Sequence, residues 1–469
     1  MSRGLGDVYK RQEEIRLITT DATLESLPDC EILFVDMPYS SATLKAIANA
    51  AKGEYTLLYT KETTLEMGMF ALERMIHILE DSSAGMVYAD HYQIADGKQS
   101  NAPVIDYQFG SLRDDFNFGS LLLFNTEKLK EAAGHMKSDY NFAGLYDLRL
   151  KLSQHSDLVH INEYLYSEVE NDTRKSGEKI FDYVDPKNRD RQIEMEQACT
   201  EHLKEIGGYL APEFKKIEFS AGNFEYEASV IIPVRNRIRT IRDAIKSVLM
   251  QKTDFKYNLI IIDNHSTDGT TEAIDEFKDD ERLIHIVPER NDLGIGGCWN
   301  VGVHHPKCGK FAVQLDSDDV YKDENTLAIM VRAFYEQNCA MVVGTYMMTD
   351  FNMNMIAPGI IDHKEWTPAN GRNNALRING LGAPRAFYTP VLREVKVPNT
   401  SYGEDYALGL NFSRQYQIGR VYDVVYLCRR WDDNSDASLD IVKMNGHNLY
   451  KDRIRTWELQ ARIAMNKNK

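Results

Sequence analysis

The chain lacks any long hydrophobic run. No stretch approaches the roughly 18 consecutive apolar residues that a membrane-spanning helix needs. The N-terminal segment also lacks the apolar core of a secretory signal peptide. The two absences favour a cytoplasmic protein without a transmembrane segment, for which peripheral contact at the inner face of a membrane stays open.

Cysteine and positive charge are also in short supply. The six cysteines are scattered with no pair at metal-ligand spacing, which favours free thiols in a reducing compartment. Acidic residues outnumber Lys and Arg by 71 to 55, which gives a net charge of −16. This charge argues against nucleic acid as a partner, because the phosphate backbone would be repelled. It does not argue against a single nucleotide, whose charge a metal ion can neutralise.

Length and apolar content, in contrast, are ample. The 469 residues suffice for two to three domains, and 43% hydrophobic residues suffice for large cores. Residues 1–12 (MSRGLGDVYKRQ) are expected to be a non-native leader, so they take no part in the fold prediction.

The most informative stretch is AVQLDSDDVY, residues 312–321. An apolar run ends in three carboxylates, Asp316, Asp318 and Asp319, and such runs are typical of strands covered on both faces. In open α/β sheets, ligands bind just beyond the carboxyl ends of the strands. Crowded carboxylates there suit Mg²⁺ or Mn²⁺, which also bind substrate phosphates. For this motif taken alone, the alternative is a solvated acidic turn.

Residues 229–277 predict the start of a parallel sheet. β-branched apolar runs alternate there with runs that have apolar residues at helical spacing. The predicted elements are the strands 229–233 and 258–263 and the helices 240–251 and 270–277. This alternation is typical of a doubly wound α/β sheet. Polar residues follow the strands at one edge of the sheet, at Asn236, Asp263 and Asp316, which indicates a nucleotide site.

Several motifs in this half resemble glycosyltransferase family 2, which has the GT-A fold. They are SVIIPVRN, IIDNHSTDGT, RNDLGIGGCWNVGV, QLDSDDVY and YGEDYALGL, in the family's order over residues 229–410. Each motif alone is weak, and their order and spacing make the resemblance specific. It implies an inverting transfer of a hexosyl or N-acetylhexosaminyl group from a nucleotide-sugar donor, with Mn²⁺ or Mg²⁺ as cofactor.

The resemblance also implies roles for individual residues. Asp316 and Asp318 would form the Asp-x-Asp (DXD) element, with Asp318 nearest the metal. Asp405 would be the general base, and its neighbour Glu404 is the second catalytic candidate. Asp263 would accept a hydrogen bond from the base, expected to be uracil. The implied donor-binding residues are Pro233, Arg235, Asn236, Asp263, Asn300, Asp316, Arg430 and Trp431.

The chemistry of such a transfer needs two separate groups of carboxylates. A nucleoside diphosphate leaves with negative charge, which a divalent cation stabilises. The acceptor hydroxyl is a poor nucleophile, so a carboxylate on the opposite face must take its proton. For Asp405 the alternative role is an N-cap of the helix that YALGLNF predicts. For Asp268, a turn or capping role is favoured over chemistry.

Two positions depart from the family pattern. Trp299 stands where the family often has a basic residue, and CRRWDDNSDAS (428–438) replaces a His-rich segment. Arg429 and Arg430 would either hold the diphosphate in place of histidine or pair with surface carboxylates. Asn434–Ser435 matches the family's closing Asn-Ser and is expected on a loop over the donor.

The first two hundred residues repeat the second half in degraded form. The aligned segments are 52–68 with 308–324, 119–129 with 382–392, and 144–153 with 404–413. Thr60, Lys61 and Glu62 replace the Asp-x-Asp element, and Leu145 replaces the base. A lysine-centred loop is unsuited to a divalent ion, and a leucine cannot accept a proton. The first half is therefore predicted to be a GT-A-like scaffold without catalysis, and the alternative is a chance match of generic α/β patterning.

The predicted fold class is α/β with tandem GT-A domains, the first degenerate. The predicted segments are the leader 1–12, a degenerate domain 13–175, a linker with a bridging helix 176–226, a catalytic domain 227–430, and a C-terminal loop and helix 431–469. The linker helix, 193–206, either bridges the domains or is a plain surface helix. The final helix, 445–469, either packs on the core or rests on a membrane surface.

The predicted function is transfer of a sugar from a UDP-sugar to a hydroxyl of a glycan, lipid-linked or other acceptor, as in polysaccharide biosynthesis. The acceptor pocket is expected in the variable segment 350–380. Two other functions stay open. One is a non-catalytic nucleotide-sugar-binding or assembly protein, against which the intact acidic motifs argue. The other is a nucleotidyltransferase, which would release pyrophosphate rather than a nucleoside diphosphate.

Overall fold

The chain forms two compact units in the computed structural model. The described residues are 14–24, 28–172, 174, 182–220, 222–378, 380–431 and 439–468. The first unit comprises Met1–Tyr209 with Ser438–Lys469, and the second comprises Leu210–Ala437. The predicted leader and the pair Asn434–Ser435 lie outside the described residues. Within the described part of the chain, no helix combines the length and apolarity that crossing a membrane requires.

The first unit contains a two-stranded parallel sheet and a six-stranded mixed sheet. Its strands are β1 (Arg16–Thr19), β2 (Glu31–Phe34), β3 (Tyr55–Tyr59), β4 (Leu65–Met67), β5 (Met86–Ala95), β6 (Lys98–Ala102), β7 (Leu121–Asn125) and β8 (Leu158–Val169). Its helices are α1 (Ser41–Ala50), α2 (Ala71–Ser82), α3 (Thr126–His135), α4 (Gly144–Ser153), α5 (Arg189–Glu205) and the C-terminal helix (Ile441–Lys467). β1 pairs with β2, and the larger sheet has the order β3-β7-β5-β8-β4, with β6 beside β5.

Alternating side chains of β7 hold the core of this unit together. Leu122 and Phe124 lie in one buried cluster, and Leu121 and Leu123 lie in a second cluster. Successive side chains of a strand point to opposite faces, so the two clusters cover the two faces of the sheet.

Helix α5, which the linker prediction covers, packs within the first unit. Its Glu194 carboxylate accepts hydrogen bonds from the backbone N–H groups of Asn141, Phe142 and Ala143, immediately before α4. The C-terminal helix also belongs to this unit, where the Ser111 hydroxyl donates to its buried Asp452 carboxylate at 3.0 Å.

The second unit is built on a nine-stranded sheet. Its strands are β9 (Ala228–Val234), β10 (Tyr257–Asp263), β11 (Leu283–Ile286), β12 (Phe311–Gln314), β13 (Val320–Tyr321), β14 (Met341–Thr349), β15 (Met355–Ile361), β16 (Arg385–Tyr388) and β17 (Ile418–Arg429). Its helices are α6 (Ile241–Leu249), α7 (Thr270–Asp275), α8 (Ile295–His304), α9 (Thr326–Gln337), α10 (Gly371–Asn374), α11 (Thr389–Val395) and α12 (Glu404–Gln415). The strand order is β11-β10-β9-β12-β16-β14-β17-β13, with β15 beside β14.

The predicted α/β class is confirmed, and the hydrophobic patterns explain it. β9, β10 and β12 pair in parallel and are almost wholly buried, as expected of apolar runs covered on both faces. Helix α6 buries Ile241, Ala244, Ile245 and Val248, the apolar residues at helical spacing that predicted it. The carboxyl ends of the parallel strands therefore share one edge of the sheet.

The six-stranded sheet and part of the nine-stranded sheet have the same topology. The order β3-β7-β5-β8-β4 matches β12-β16-β14-β17-β13, and each matching pair runs in the same relative direction. β6 and β15 occupy matching places beside β5 and β14. The register of the β5–β8 pair shifts around Asp90, and that of the β14–β17 pair shifts around Thr345.

The matching registers correct one detail of the sequence alignment. Tyr55 pairs with Asn125 as Phe311 pairs with Tyr388, which makes Tyr59 the counterpart of Leu315. Farther along, Met67 pairs with Tyr166 as Tyr321 pairs with Tyr426. The chain thus advances eight residues between the two points in the first unit and six in the second. The loop of the first unit is two residues longer, so its residues do not replace the Asp-x-Asp element one for one.

Candidate active site

The acidic loop between β12 and β13 is fixed by hydrogen bonds to the sheet. The backbone N–H of Asp316 donates to the Tyr426 hydroxyl at 3.1 Å, and the Gln314 amide donates to Asp316 Oδ1 at 2.8 Å. Burial raises the pKa of Asp316, and the neighbouring charge of Asp318 raises it further. The same two causes raise the pKa of Asp319 well above its usual range. A positive charge at this loop would relieve the repulsion.

A buried arginine supports the loop. The Arg429 backbone N–H donates to Asp319 Oδ1 at 2.7 Å, its Nε donates to the Asp318 carbonyl at 2.5 Å, and its Nη1 donates to Asp243 Oδ2 at 2.8 Å. Two roles were left open for Arg429, binding the diphosphate or pairing with a carboxylate. In the structure it pairs with the Asp243 carboxylate. Arg430 is partly exposed, and its backbone N–H donates to the Thr349 carbonyl.

Aromatic and cationic side chains gather at Asp318. Trp431 Nε1 donates to Asp318 Oδ2 at 3.4 Å, and the Trp431 ring meets Phe351 edge to face at 5.4 Å. The Arg239 guanidinium lies 5.0 Å from the centre of the Trp431 ring, and Arg237 Nε lies 3.8 Å from Asp318 Oδ2. Sequence reasoning missed Arg237 and Arg239. The signal was present, because arginines recur at every second position in VRNRIR.

The end of β9 and the loop after it carry three of the predicted donor-binding residues. Pro233 is partly buried within β9, and Arg235 and Asn236 are exposed. Asn236 has a left-handed backbone (φ 54°), and its Oδ1 accepts a hydrogen bond from the Thr267 backbone N–H at 2.8 Å. This amide therefore joins the loops that follow β9 and β10.

Asp263, predicted to contact the base, is fully buried at the end of β10. Its Oδ1 accepts from the Ser266 backbone N–H at 3.0 Å, and its Oδ2 accepts from the Thr271 hydroxyl at 2.5 Å. Burial favours a higher pKa, but the bonds from His285, Ser266 and Thr271 outweigh it and hold the pKa of Asp263 well below its usual range. In this position Asp263 shapes the loop between β10 and α7.

The predicted base lies in the first turn of α12. The cap position belongs to Gly403, whose φ of 79° suits glycine, so the alternative of Asp405 as the N-cap is wrong. Asp405 Oδ1 accepts from the Tyr406 backbone N–H at 2.7 Å, and Asp405 Oδ2 accepts from Arg385 Nη2. Sequence reasoning missed Arg385.

Glu404 differs from Asp405 in its environment. Its Oε2 atom is buried and has no hydrogen-bond partner in the described part of the chain. Burial and the neighbouring Asp405 charge raise the pKa of Glu404 to about 8. This shift favours the protonated form of the Glu404 carboxyl at neutral pH, so Asp405 is the stronger candidate for the base.

Two side chains connect the acidic loop to the start of α12. Arg385 Nη1 donates to Gln314 Oε1 at 2.9 Å, and Arg385 Nη2 donates to Asp405 Oδ2. Gln314 Nε2 in turn donates to Asp316 Oδ1. The two groups of predicted carboxylates thus belong to one hydrogen-bonded chain, although 89 positions separate them in the sequence, from 316 to 405.

Asn300 lies elsewhere, on α8. Its Nδ2 donates to the Val397 carbonyl at 2.7 Å, and its Oδ1 accepts from the Val397 backbone N–H at 3.0 Å. The preceding Trp299 is buried, with its ring edge to face with Phe387. In this arrangement Asn300 anchors the chain that leads from α11 to α12.

The acidic loop fits a divalent cation that completes its coordination with substrate. No cluster of three or more metal-ligating side chains occurs among the described residues. Mg²⁺ and related ions commonly take only one or two protein carboxylates, together with water and substrate phosphates. Asp316 and Asp318 would supply that pair. Burial and then the Asp318 charge raise the pKa of Asp316, and a cation would remove the repulsion between the two carboxylates.

Known proteins resemble parts of this chain. Residues 229–387 match the sequence model of Glycosyl transferase family 2. An uncharacterized glycosyltransferase of Rickettsia felis is 37% identical over 198 residues, which cover 42% of this chain and 31% of that protein. GlyG of Streptococcus pneumoniae is 27% identical over 122 residues, 26% of this chain and 40% of that protein. TuaG of Bacillus subtilis is 29% identical over 126 residues, 27% of this chain and 49% of that protein.

The chain spans less than half the length of each of these three relatives. Among solved structures, residues 1–349 of S. aureus TarS with UDP-GlcNAc superpose with a TM-score of 0.39 at 19% identity, over 50% of this chain and 72% of that one. The family match spans the strands and loops that carry the acidic motif. Residues 229–387 are thus similar in sequence to glycosyltransferase family 2.

Proposed function

We propose that the second unit transfers a sugar from a UDP-sugar to an acceptor hydroxyl, with inversion at the anomeric carbon. The observation that carries the proposal is the hydrogen-bonded chain from Asp316 through Gln314 and Arg385 to Asp405. It joins an acidic loop suited to a metal and a diphosphate to a separate carboxylate suited to an acceptor proton. An inverting transfer needs both: one group that stabilises the leaving diphosphate and a separate base for the acceptor.

On the donor side, Asp316 and Asp318 would hold Mn²⁺ or Mg²⁺, with Asp318 as the main ligand. When bound, such a cation would offset the negative charge on the departing diphosphate. Trp431 and Arg430 contact the nucleotide-sugar from the segment after β17. Trp431 keeps Asp318 in place through its Nε1 hydrogen bond.

The nucleotide lies along the loops that follow β9 and β10. Pro233, Arg235 and Asn236 line its pocket, and Asp263 contributes by holding the loop between β10 and α7 in shape. Asn300 contributes indirectly, by fixing the backbone at Val397 through two hydrogen bonds.

At the acceptor, Asp405 takes the proton while the acceptor oxygen attacks the anomeric carbon. The bond between that carbon and the diphosphate oxygen breaks on the opposite face, so the configuration inverts. The raised pKa of Glu404 favours Asp405 as the carboxylate for this step. A positioned base typically contributes about 10² to 10⁴ in rate.

The acceptor class proposed is a glycan or lipid-linked saccharide of polysaccharide biosynthesis, at the cytoplasmic face of a membrane. TuaG is named for teichuronic acid biosynthesis. A Campylobacter jejuni relative, 36% identical over 93 residues, is named as a glucosyltransferase acting on GalNAc(5)-diNAcBac-PP-undecaprenol. The first unit is proposed to be a degenerate, non-catalytic copy that supports the second unit or binds acceptor.

The test is release of nucleoside diphosphate by the purified full chain from a panel of UDP-sugars, with and without Mn²⁺. We expect metal-dependent release of UDP from at least one donor, and loss of release in Asp318→Asn. Release of pyrophosphate would indicate a nucleotidyltransferase instead. Binding of donor without turnover would indicate a sensor or assembly protein.

A further inference from the structure

Arg385 is a largely buried cation, at a position where a charge is costly. Its side chain is 12% exposed. Nε donates to the Leu381 carbonyl at 2.5 Å, Nη1 to Gln314 Oε1 at 2.9 Å, and Nη2 to Asp405 Oδ2. Replacing a buried ion pair with apolar side chains of similar volume is often neutral or stabilising. Stability alone is therefore a weak reason for this arginine.

The first unit shows that the fold does not require this arginine. The matching registers make Leu58 the counterpart of Gln314 and Leu122 the counterpart of Arg385. Leu145 is the counterpart of Asp405 in the aligned helices α4 and α12.

These three leucines belong to one hydrophobic cluster. Leu122 is 4% exposed, and Leu58 and Leu145 pack against the cluster that contains it. The polar chain of the second unit is thus replaced as a whole in the first. Three positions that are far apart in sequence and differ together between the units are expected to serve one purpose.

We propose that Arg385 is the positioning residue for the general base Asp405, and that Gln314 ties this pair to the acidic loop at Asp316. The inference rests on the proposed function, which supplies the role of Asp405. The planar guanidinium fixes a carboxylate oxygen and a glutamine oxygen at once, which a lysine ammonium, as a point charge, does not do.

The rate of proton transfer to a general base depends strongly on where its carboxylate lies relative to the acceptor hydroxyl. A general base has to lie within about 2.6 to 3.2 Å of the proton it takes. A misplacement of about 1 Å can cost about 10²-fold in rate. Because Arg385 also reaches Gln314, the base is held in register with the loop that holds the donor.

The experiment is a double-mutant cycle between Arg385→Met and Asp405→Asn in the full chain. It uses the UDP-sugar that the wild type turns over, with water as the nucleophile, and measures kcat together with the Kd of UDP in Mn²⁺. For Arg385→Met we expect kcat to fall about 10²-fold, while the Kd of UDP changes less than about threefold. In the Asp405→Asn background, Arg385→Met should cost less than about threefold more, since a residue that acts through another has nothing left to position.

Arg385→Lys and Arg393→Met complete the design. Arg385→Lys keeps the buried charge, so it tests the geometry even where Arg385→Met folds poorly, and we expect it to recover only part of the lost kcat. Arg393 is a matched control in the same unit, since its Nε donates to the Val303 carbonyl at 2.9 Å, away from the acidic loop. Arg393→Met should leave kcat and the Kd of UDP unchanged.

Two results would overturn the inference. One is a weaker affinity for UDP with unchanged kcat, which would make Arg385 a donor-binding residue. The other is a loss in the double variant equal to the product of the two single losses. Wild-type protein that turns over no donor would refute the proposed function itself, and the inference with it. Because wild-type turnover is measured first, the two failures are distinguishable.

Discussion

The two units carry opposite charges at matching places of the same topology. In the second unit the loop after the first shared strand is acidic, with Asp316 and Asp318, and Arg430 follows β17. In the first unit the loop carries Lys61, whose Nζ lies 2.6 Å from Glu168 Oε1 in β8 and 3.1 Å from Glu170 Oε2 just after it. A lysine fixed to the chain thus neutralises the carboxylates that face it, whereas a bound cation is proposed for the acidic loop of the second unit.

The starts of the aligned helices α4 and α12 also differ. Both have carboxylates nearby, but in the first unit the carboxylate belongs to another helix. In the second unit, Glu404 and Asp405 occupy the first turn of α12. In the first unit, Glu194 of α5 reaches across from outside and accepts three backbone N–H groups just before α4. A carboxylate satisfied by three N–H groups stabilises a helix start, but it is committed to that task. The two units thus share a sheet topology, and at the positions proposed to be functional in the second unit the first unit has side chains engaged in structural contacts.

Asp405→Asn is expected to have the largest effect, because it tests whether the second unit has a catalytic base at this position. We expect kcat to fall by about 10² to 10⁴, because asparagine cannot take the acceptor proton. The Kd of UDP should stay nearly constant, and Arg385 keeps its bonds to Gln314 and Leu381. Steady-state kinetics with UDP titrations check both values. The matched control is Glu194→Gln in the first unit, which should leave kcat unchanged, and wild-type turnover in Asp405→Asn would make Asp405 a structural residue.

Lys61→Met, in contrast, should lower the stability of the protein and leave donor turnover unchanged. It leaves Glu168, 3% exposed, with His91 and Ser120 as its partners among the described residues. A buried acceptor that loses its hydrogen-bond partner costs about 1 to 3 kcal/mol. The free energy of unfolding should therefore drop by about that amount. Denaturant unfolding measures it, with the exposed Lys45→Met as a control expected to show no change. A loss of donor turnover in Lys61→Met would mean that the first unit takes part in catalysis.

Glu404→Gln is expected to change how the stability of the protein depends on pH. Burial, then the Asp405 charge, raises the pKa of Glu404 from 4.5 to about 8, so the folded state binds a proton more tightly than the unfolded state. The stability from this proton is fully present below about pH 4.5 and is lost as the pH rises through about 8. Glutamine has no proton to lose, so the stability of the variant relative to wild type should rise from pH 4.5 to 8. Denaturant midpoints across that range test it, and a constant difference between variant and wild type contradicts the raised pKa.

Trp431→Phe should have the smallest effect. Phenylalanine keeps an aromatic ring beside Phe351 but removes the Nε1 hydrogen bond to Asp318. A hydrogen bond to a charged group contributes about 1.5 to 3 kcal/mol at best, and the 3.4 Å length favours less. We expect the Kd of UDP in Mn²⁺ to rise by about tenfold or less. An unchanged Kd would show that Trp431 does not support the metal site.

Much of the second unit followed from periodicity. The strands 229–233 and 258–263 were predicted within two residues of their bounds, because a strand buried on both faces leaves an uninterrupted apolar run. The acidic loop was predicted for the same reason, since such a run ends where the loop begins. Local patterns of this kind depend only on neighbouring residues.

Contacts between distant residues could not be predicted in the same way. Arg385 lies in GAPRAFYTP, where nothing local distinguishes it from a surface arginine. Its role depends on β16 lying beside β12, which brings Gln314 within 2.9 Å. Asp263 looked like a ligand-facing strand end, and only the turn at Ser266 and Thr271 shows that both of its oxygens are already engaged.

The most direct test of the account is the stoichiometry of UDP binding in Mn²⁺, measured by calorimetry on the full chain. If only the second unit has a donor site, wild type and Lys61→Met should each bind about one UDP per chain, and Asp318→Ala should bind none that depends on the metal. Two equivalent sites per chain, or metal-dependent binding that survives Asp318→Ala, would contradict the account, because the charge reversal between the units would then not decide which of them holds the donor.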